Sequence, residues 1–173
     1  MDYWETVEKR HSVRRFNMDH EVSPEIVERI LHAAILAPSA GNCQPWHFFV
    51  VRHAKTKERL AEAAWGQRFL IEAPVVIVVC TEPARSSARY GPRGSGLYCL
   101  QDTAAATEHI LLAATALGLG SCWVGAFDER AAAQALQLPD NLRPVALVPL
   151  GHPRRPTVRQ TTRRQLDEVV TYI

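Results

Sequence analysis

A chain of 173 residues with 47% hydrophobic composition is the size of one domain with a sizeable core, and its 20 basic and 18 acidic residues leave a net charge of only +2. That balance excludes an overall field strong enough to draw the chain onto nucleic acid or an anionic membrane, so electrostatic recognition has to be local. The N-terminus, MDYWETVEKRHSVRRF, has charges every few residues and no apolar stretch of the kind a secretory signal needs, which points to the cytoplasm.

The chain opens with a helix start, Asp2 followed by Glu5, and this first helix is expected to carry Trp4 and Val7 on one side and to end near KRHSVRR. Ser23, Pro24 and Glu25 are a cap, a first-turn proline and a first-turn acid, and Ile26, Ile30, Ala33, Ala34 and Ala37 follow at helical spacing. The segment APSAGNCQPWHFFVV, residues 37–51, then packs Pro, Ser, Gly, Asn and Gln into one turn. Ser39, Asn42 and Gln44 give it more hydrogen-bonding side chains than a plain turn requires, as a site for a planar polar ligand would.

WHFFVVR reads as a strand, KTKERLAEAAW as a helix and PVVIVVC as a continuously apolar, fully buried strand at the centre of a sheet. Residues 83–96, PARSSARYGPRGSG, have the Gly, Pro and Ser content of a mobile excursion, a candidate lid. A long helix from about Leu97 to Leu117 follows and stops at Gly118; Gln101, Asp102, Glu108 and His109 interrupt it, so it is a buried helix and not a membrane span. SCWVGAF is a short extended segment, Asp128 caps a helix over ERAAAQAL, and RPVALVPLG is the last strong strand. The tail carries arginines 154, 155, 159, 163 and 164, and its weak periodicity suits a segment that runs over a surface or wraps a partner subunit. With no repeat or linker, residues 1–173 read as a single domain.

Cys43, Cys80, Cys99 and Cys122 form no CxxC pair and read as buried thiols, Cys122 as an inert one; His47, His53, His109 and His152 have no metal spacing and read as structural. The chemistry lies instead in three basic groups: KRHSVRR, Arg154 with Arg155, and Arg163 with Arg164. In an extended exit from the first helix, Arg10, Ser12 and Arg14 share one side, two guanidinium forks flanking a hydroxyl, an arrangement suited to phosphate. GLGSCWVGAF adds a glycine-framed strand whose backbone N–H groups can approach a flat ring closely. Neither GxGxxG after a first strand nor GxxxxGK[ST] occurs.

Through KRHSVRRF, APSAGNCQPWHFFVV, EAPVVIVVC, LQDTAAATEHILLAATALGLGSCWVGAF and LVPLGHP, in that order and spacing, the chain resembles the flavin-dependent nitroreductase family over essentially its whole length. The resemblance implies an α+β fold with a central mixed sheet flanked by helices, and an obligate homodimer with a swapped C-terminal tail and non-covalent FMN at the interface. It assigns Arg10, His11, Ser12 and Arg14 of one subunit to the phosphate, ribityl chain and pyrimidine edge of FMN, with His11 acting through its backbone. Pro38, Ser39 and Asn42, with Gln44 beside them, approach the ring from the other subunit. Trp123, Val124 and Gly125 offer backbone contacts near N5 and O4, and Arg163 closes on the phosphate.

The sequence departs from the family in having Gly125 where some members have glutamate; the polar side chain that others place near the pyrimidine corresponds here to Gln67, with Ile71 also near that point. It also lacks the extra helices with which some members cover the substrate. The implied activity is NAD(P)H-dependent reduction of a nitroaromatic, quinone or similar acceptor by a ping-pong mechanism, with Arg14 tuning the flavin. Rival readings are reduction of FMN itself, a halogenated aromatic acceptor, a flavin-binding protein without catalysis, and nucleic-acid binding through the tail arginines, the last opposed by the near-neutral net charge. No acidic residue can be identified at the end of a dinucleotide-binding strand, so the residues do not choose between NADH and NADPH.

Overall fold

The computed structural model describes residues 1–155 and 161–173, so Arg159 lies outside the described residues. In chain order the elements are α1 (Tyr3–Lys9), α2 (Pro24–Ile35), β1 (Trp46–Val51), α3 (Ala54–Ala63), α4 (Phe69–Glu72) and β2 (Val75–Thr81). They continue with α5 (Pro83–Arg93), α6 (Cys99–Ala116), β3 (Gly120–Ser121), α7 (Glu129–Leu136) and β4 (Arg143–Gly151). The helix starts are set by the residues that announce them: Asp2 accepts from Glu5 N–H, Ser23 from Ile26 N–H, and Asp128 from Arg130 and Ala131 N–H.

The four strands lie in the order β1-β2-β4-β3. Every residue of β2 is buried, and alternate side chains serve opposite faces. Val75, Ile77 and Val79 pack with Ile30, Ala34, Ile110 and Ala114 of α2 and α6, whereas Val76, Val78 and Cys80 pack with Leu60, Ala61, Leu70 and Ala132 of α3, α4 and α7. The sheet is therefore the middle of three layers, which is why its central strands are continuously apolar. On β1, Phe48 joins the first core and Phe49 the second.

Three expectations are corrected in detail. All three named strand pairings are antiparallel, and the parallel component of the expected mixed sheet is confined to the bridge between Ser12 and Ser121. Residues 83–96 are not an irregular excursion: α5 occupies most of them and passes through a π-helical turn, Gly94–Tyr98, into α6. The Gly and Pro residues that suggested a loop are concentrated at the break, where Gly91 has φ 56° and ψ −144°, while Ser86 is fully buried and Gly94 lies so close to the Ser86 carbonyl that a side chain there would collide with it. Third, Cys43 is only half-buried, unlike the other three thiols, because it sits in the exposed turn before β1. No helix among the described residues is long and apolar enough to cross a membrane.

Candidate functional site

The segment after α1 leaves in extended form and joins the edge of the sheet. Val13 N–H donates to the Ser121 carbonyl at 2.8 Å, Phe16 bridges Pro153, Asn17 N–H donates to His152 O at 2.9 Å, and Arg154 N–H donates to Arg15 O at 3.0 Å. Val13 and Phe16 are buried against Ala73, which leaves Ser12, Arg14 and Arg15 outward. Gly120 makes this approach possible: a Cβ there would stand 2.8 Å from the Val13 side chain.

Two cavities flank the segment. One, of about 410 Å³, is lined by Arg10, His11, Ser12 and Arg14 together with Thr161, Thr162 and Arg163 from the tail. The other, of about 540 Å³, is lined by His11, Ser12, Arg14 and Arg15 together with Arg154 and Arg155. The three basic groups of the sequence thus meet around one extended strand. In the first cavity Arg163 is oriented by bonds to Thr161 Oγ1 at 2.5 Å and Thr162 O at 3.1 Å, and Arg10 Nε lies 3.9 Å from Glu108. His11 Nδ1 donates to the Lys9 carbonyl at 2.8 Å, while its Nε2 is buried without a partner, an unmade hydrogen bond beside both cavities. Guanidinium forks and hydroxyls are a donor set that fits a phosphate monoester, and the unpaired His11 Nε2, with Nδ1 carrying the proton, is left as an acceptor.

The 122–127 segment runs alongside. Cys122 is buried, and burial pushes its thiol up against the opposing pull of Arg14, a hydrogen bond with Ser12, and Arg10. Burial of this kind works against thiolate formation and so weakens a thiol as a nucleophile. Val124 exchanges backbone hydrogen bonds with Leu147, which fixes the chain on either side of it, Trp123 is 39% exposed, and Gly125 has an open face apart from the Trp123 indole. Gln67, rather than Ile71, reaches this segment: its Nε2 donates to Ala126 O at 3.1 Å, while Ile71 packs against the second core.

Pro38, Ser39, Asn42 and Gln44 do not line either cavity. Their turn is held elsewhere, in a strained form, with Asn42 at φ 56° and Gln44 at φ 49°. Ser39 Oγ accepts from Gln44 N–H at 3.0 Å, so the serine hydroxyl is used inside the turn. From α5, Arg85 Nε donates to Cys43 O at 3.0 Å and an Arg89 guanidinium N–H to Gly41 O at 2.9 Å. From α6, buried Asp102 accepts from Ala40 N–H at 3.0 Å. Asp102, Arg85 and Arg89 were not singled out from the sequence, although an acid inside an otherwise apolar helix was a visible signal. Thr161 and Thr162 were also missed, and their place directly before Arg163 was the cue.

An antiparallel sheet between helical layers defines an α+β protein, with arginine-lined cavities where the first extended segment meets the sheet edge and the tail. The chain belongs to the nitroreductase family, whose model matches residues 7–68 and 64–152. It is 42% identical over 149 residues, 84% of this chain and 82% of the other, to an Archaeoglobus fulgidus protein with the provisional name NADH dehydrogenase/NAD(P)H nitroreductase. It is 34% identical over 172 residues to a Thermus thermophilus protein named NADH dehydrogenase, covering 84% of this chain and 83% of that one. Among solved structures, a nitroreductase family protein from Clostridium novyi superposes with a TM-score of 0.80 at 36% identity, over 89% of this chain and 86% of that one.

Proposed function

We propose that the chain is an FMN-dependent oxidoreductase that uses NAD(P)H to reduce a nitroaromatic, quinone or similar acceptor by a ping-pong mechanism, as a homodimer in the cytoplasm. The observation that carries this reading is the convergence of Arg10, Ser12, Arg14 and Arg163 on one cavity in a nitroreductase-family chain. Bound there, FMN would supply the hydride and electron transfer, first with the nicotinamide and then with the acceptor. The protein's part is to bind and orient. Arg10, Arg163 and the Ser12 hydroxyl hold the phosphate, Arg14 stands as a cation toward the pyrimidine edge, Gln67 braces the 123–127 segment, and the backbone of Trp123, Val124 and Gly125 faces the ring.

The dimer is supported by apolar surface that one chain leaves uncovered: Trp4 is 74%, Tyr3 64% and Leu36 78% exposed. It is also supported by the 37–44 turn, whose Pro38, Ser39, Asn42 and Gln44 lie away from their own chain's cavities, with Pro38, Asn42 and Gln44 exposed where a second copy can be reached. The purified protein should be yellow, and its flavin should be released with the 5′-phosphate intact. NAD(P)H should bleach it anaerobically and a quinone or nitroaromatic restore the colour, with parallel-line initial-rate kinetics. A colourless protein that refuses added FMN overturns the reading, as does a flavin-loaded monomer in sedimentation for the dimer.

A further inference from the structure

We propose that the second arginine cavity binds the 2′-phosphate of the nicotinamide donor, making the protein selective for NADPH over NADH. This rests on the oxidoreductase reading above and names its donor. Among the described residues none of Arg14, Arg15, Arg154 and Arg155 takes part in an ion pair, in contrast to Arg10, which faces Glu108 in the neighbouring cavity. Four exposed guanidinium groups around one cavity of about 540 Å³ repel one another, and a strongly charged anion relieves that repulsion.

The backbone brings the four arginines to one place. Arg154 N–H donates to Arg15 O, Phe16 bridges Pro153 and Asn17 N–H donates to His152 O, so two paired extended segments present the arginines side by side. Guanidinium forks clustered in this way suit the three oxygens of a phosphate monoester better than the singly charged esters of a diphosphate. FMN has one phosphate, and the first cavity already supplies Arg10, Arg163 and three hydroxyls for it. The second cavity shares His11, Ser12 and Arg14 with the first, so its anion lies beside the flavin site and belongs to a molecule that meets the flavin. The two nicotinamide donors differ by a single phosphate monoester on a ribose 2′ oxygen, the group this cavity is equipped to recognise.

The test uses the full chain and its Arg154→Ala/Arg155→Ala variant. Calorimetric titration of the protein without added flavin should show NADP⁺ binding at least ten times tighter than NAD⁺, with adenosine 2′-monophosphate competing and adenosine 5′-monophosphate competing much less. In the variant that preference should collapse, and the ratio of kcat/KM for NADPH to that for NADH should fall at least tenfold in the flavin-loaded protein. Equal affinity for NADP⁺ and NAD⁺, an unchanged ratio in the variant, or equal competition by the two adenosine monophosphates overturns the proposal. A variant whose main defect is a tenfold loss of FMN affinity overturns it too, because the cavity would then serve the flavin phosphate. If the protein refuses FMN but binds NADP⁺ over NAD⁺ through Arg154 and Arg155, the flavin reading fails and the 2′-phosphate site stands.

Discussion

Asp102 on α6 accepts a 3.0 Å hydrogen bond from the N–H of Ala40, 62 residues away, and its other carboxylate oxygen is buried with no partner. A side chain inside a packed helix therefore joins Arg85 and Arg89 of α5 in holding the turn whose Asn42 and Gln44 have left-handed backbone. Removing the acceptor in Asp102→Ala leaves the half-buried Ala40 N–H without its partner and should destabilise the protein by about 1 kcal/mol. Amide exchange should quicken at residues 39–44 ahead of the sheet. Asp102→Asn keeps an oxygen for Ala40 and should restore slow exchange; equal exchange in wild type and Asp102→Ala would show that Asp102 does not hold the turn.

The same carboxyl gives a pH dependence. Burial raises its proton affinity above the usual carboxylate range, only partly opposed by the Ala40 hydrogen bond. Because the folded value lies above the unfolded one, its contribution to stability is fully present below the unfolded value and is lost as pH rises through the folded value. Asp102→Asn has no such loss. Its stability relative to wild type, from denaturant unfolding at a series of pH values, should therefore increase as pH rises from about 4 toward 7.

Gly120 and Val13 provide a packing test. A Cβ at Gly120 would come within 2.8 Å of a Val13 side chain that is only 4% exposed and has little room to yield. Gly120→Ala should cost about 1–3 kcal/mol, measured by urea denaturation, and adding Val13→Ala should recover part of the loss. Strict additivity of the two substitutions would mean that the segment and β3 do not press on each other as described.

Arg14 and Arg163 line one cavity but are expected to do different work. Arg163→Ala should weaken FMN binding by about 1.5–3 kcal/mol through loss of a charge-assisted hydrogen bond, with little change in potential once FMN is saturating. Arg14→Ala should lower the potential, because negative charge that builds on the ring during reduction loses a nearby cation. Titration with FMN followed by equilibration against a redox dye separates the two. An Arg14→Ala protein with unaltered potential and weakened FMN binding would make Arg14 another phosphate ligand beside Arg10 and Arg163.

The parts of this molecule that were legible in its sequence are those where one residue carries its own instruction. Ser23 and Asp128 cap the helices they were expected to cap, and the apolar runs of β2 and β4 fall in the buried centre of the sheet. Arg10, Ser12, Arg14 and Arg163 signal an anion by residue type, and they do line one cavity. Illegible were features created by distant contacts. The hold of Asp102 on Ala40 depends on how α6 packs beside the turn, and α5 looked like a loop because its glycines and Pro92 mark its break and its close contact with the turn after it. Pairing direction was equally hidden, since an apolar strand reads the same beside a parallel or an antiparallel neighbour.

The first arginine cavity is assembled from residues 10–14 and 161–163, with every strand of the sheet between them in order of synthesis. A ribosome makes the first wall before any strand and the last only after the sheet, α6 and α7 have been translated. A nascent chain stopped at residue 155 has its core and sheet but lacks the threonine and arginine wall. Closure of this cavity is thus a record that translation has passed β4, and whatever binds there is received only after the sheet has been made.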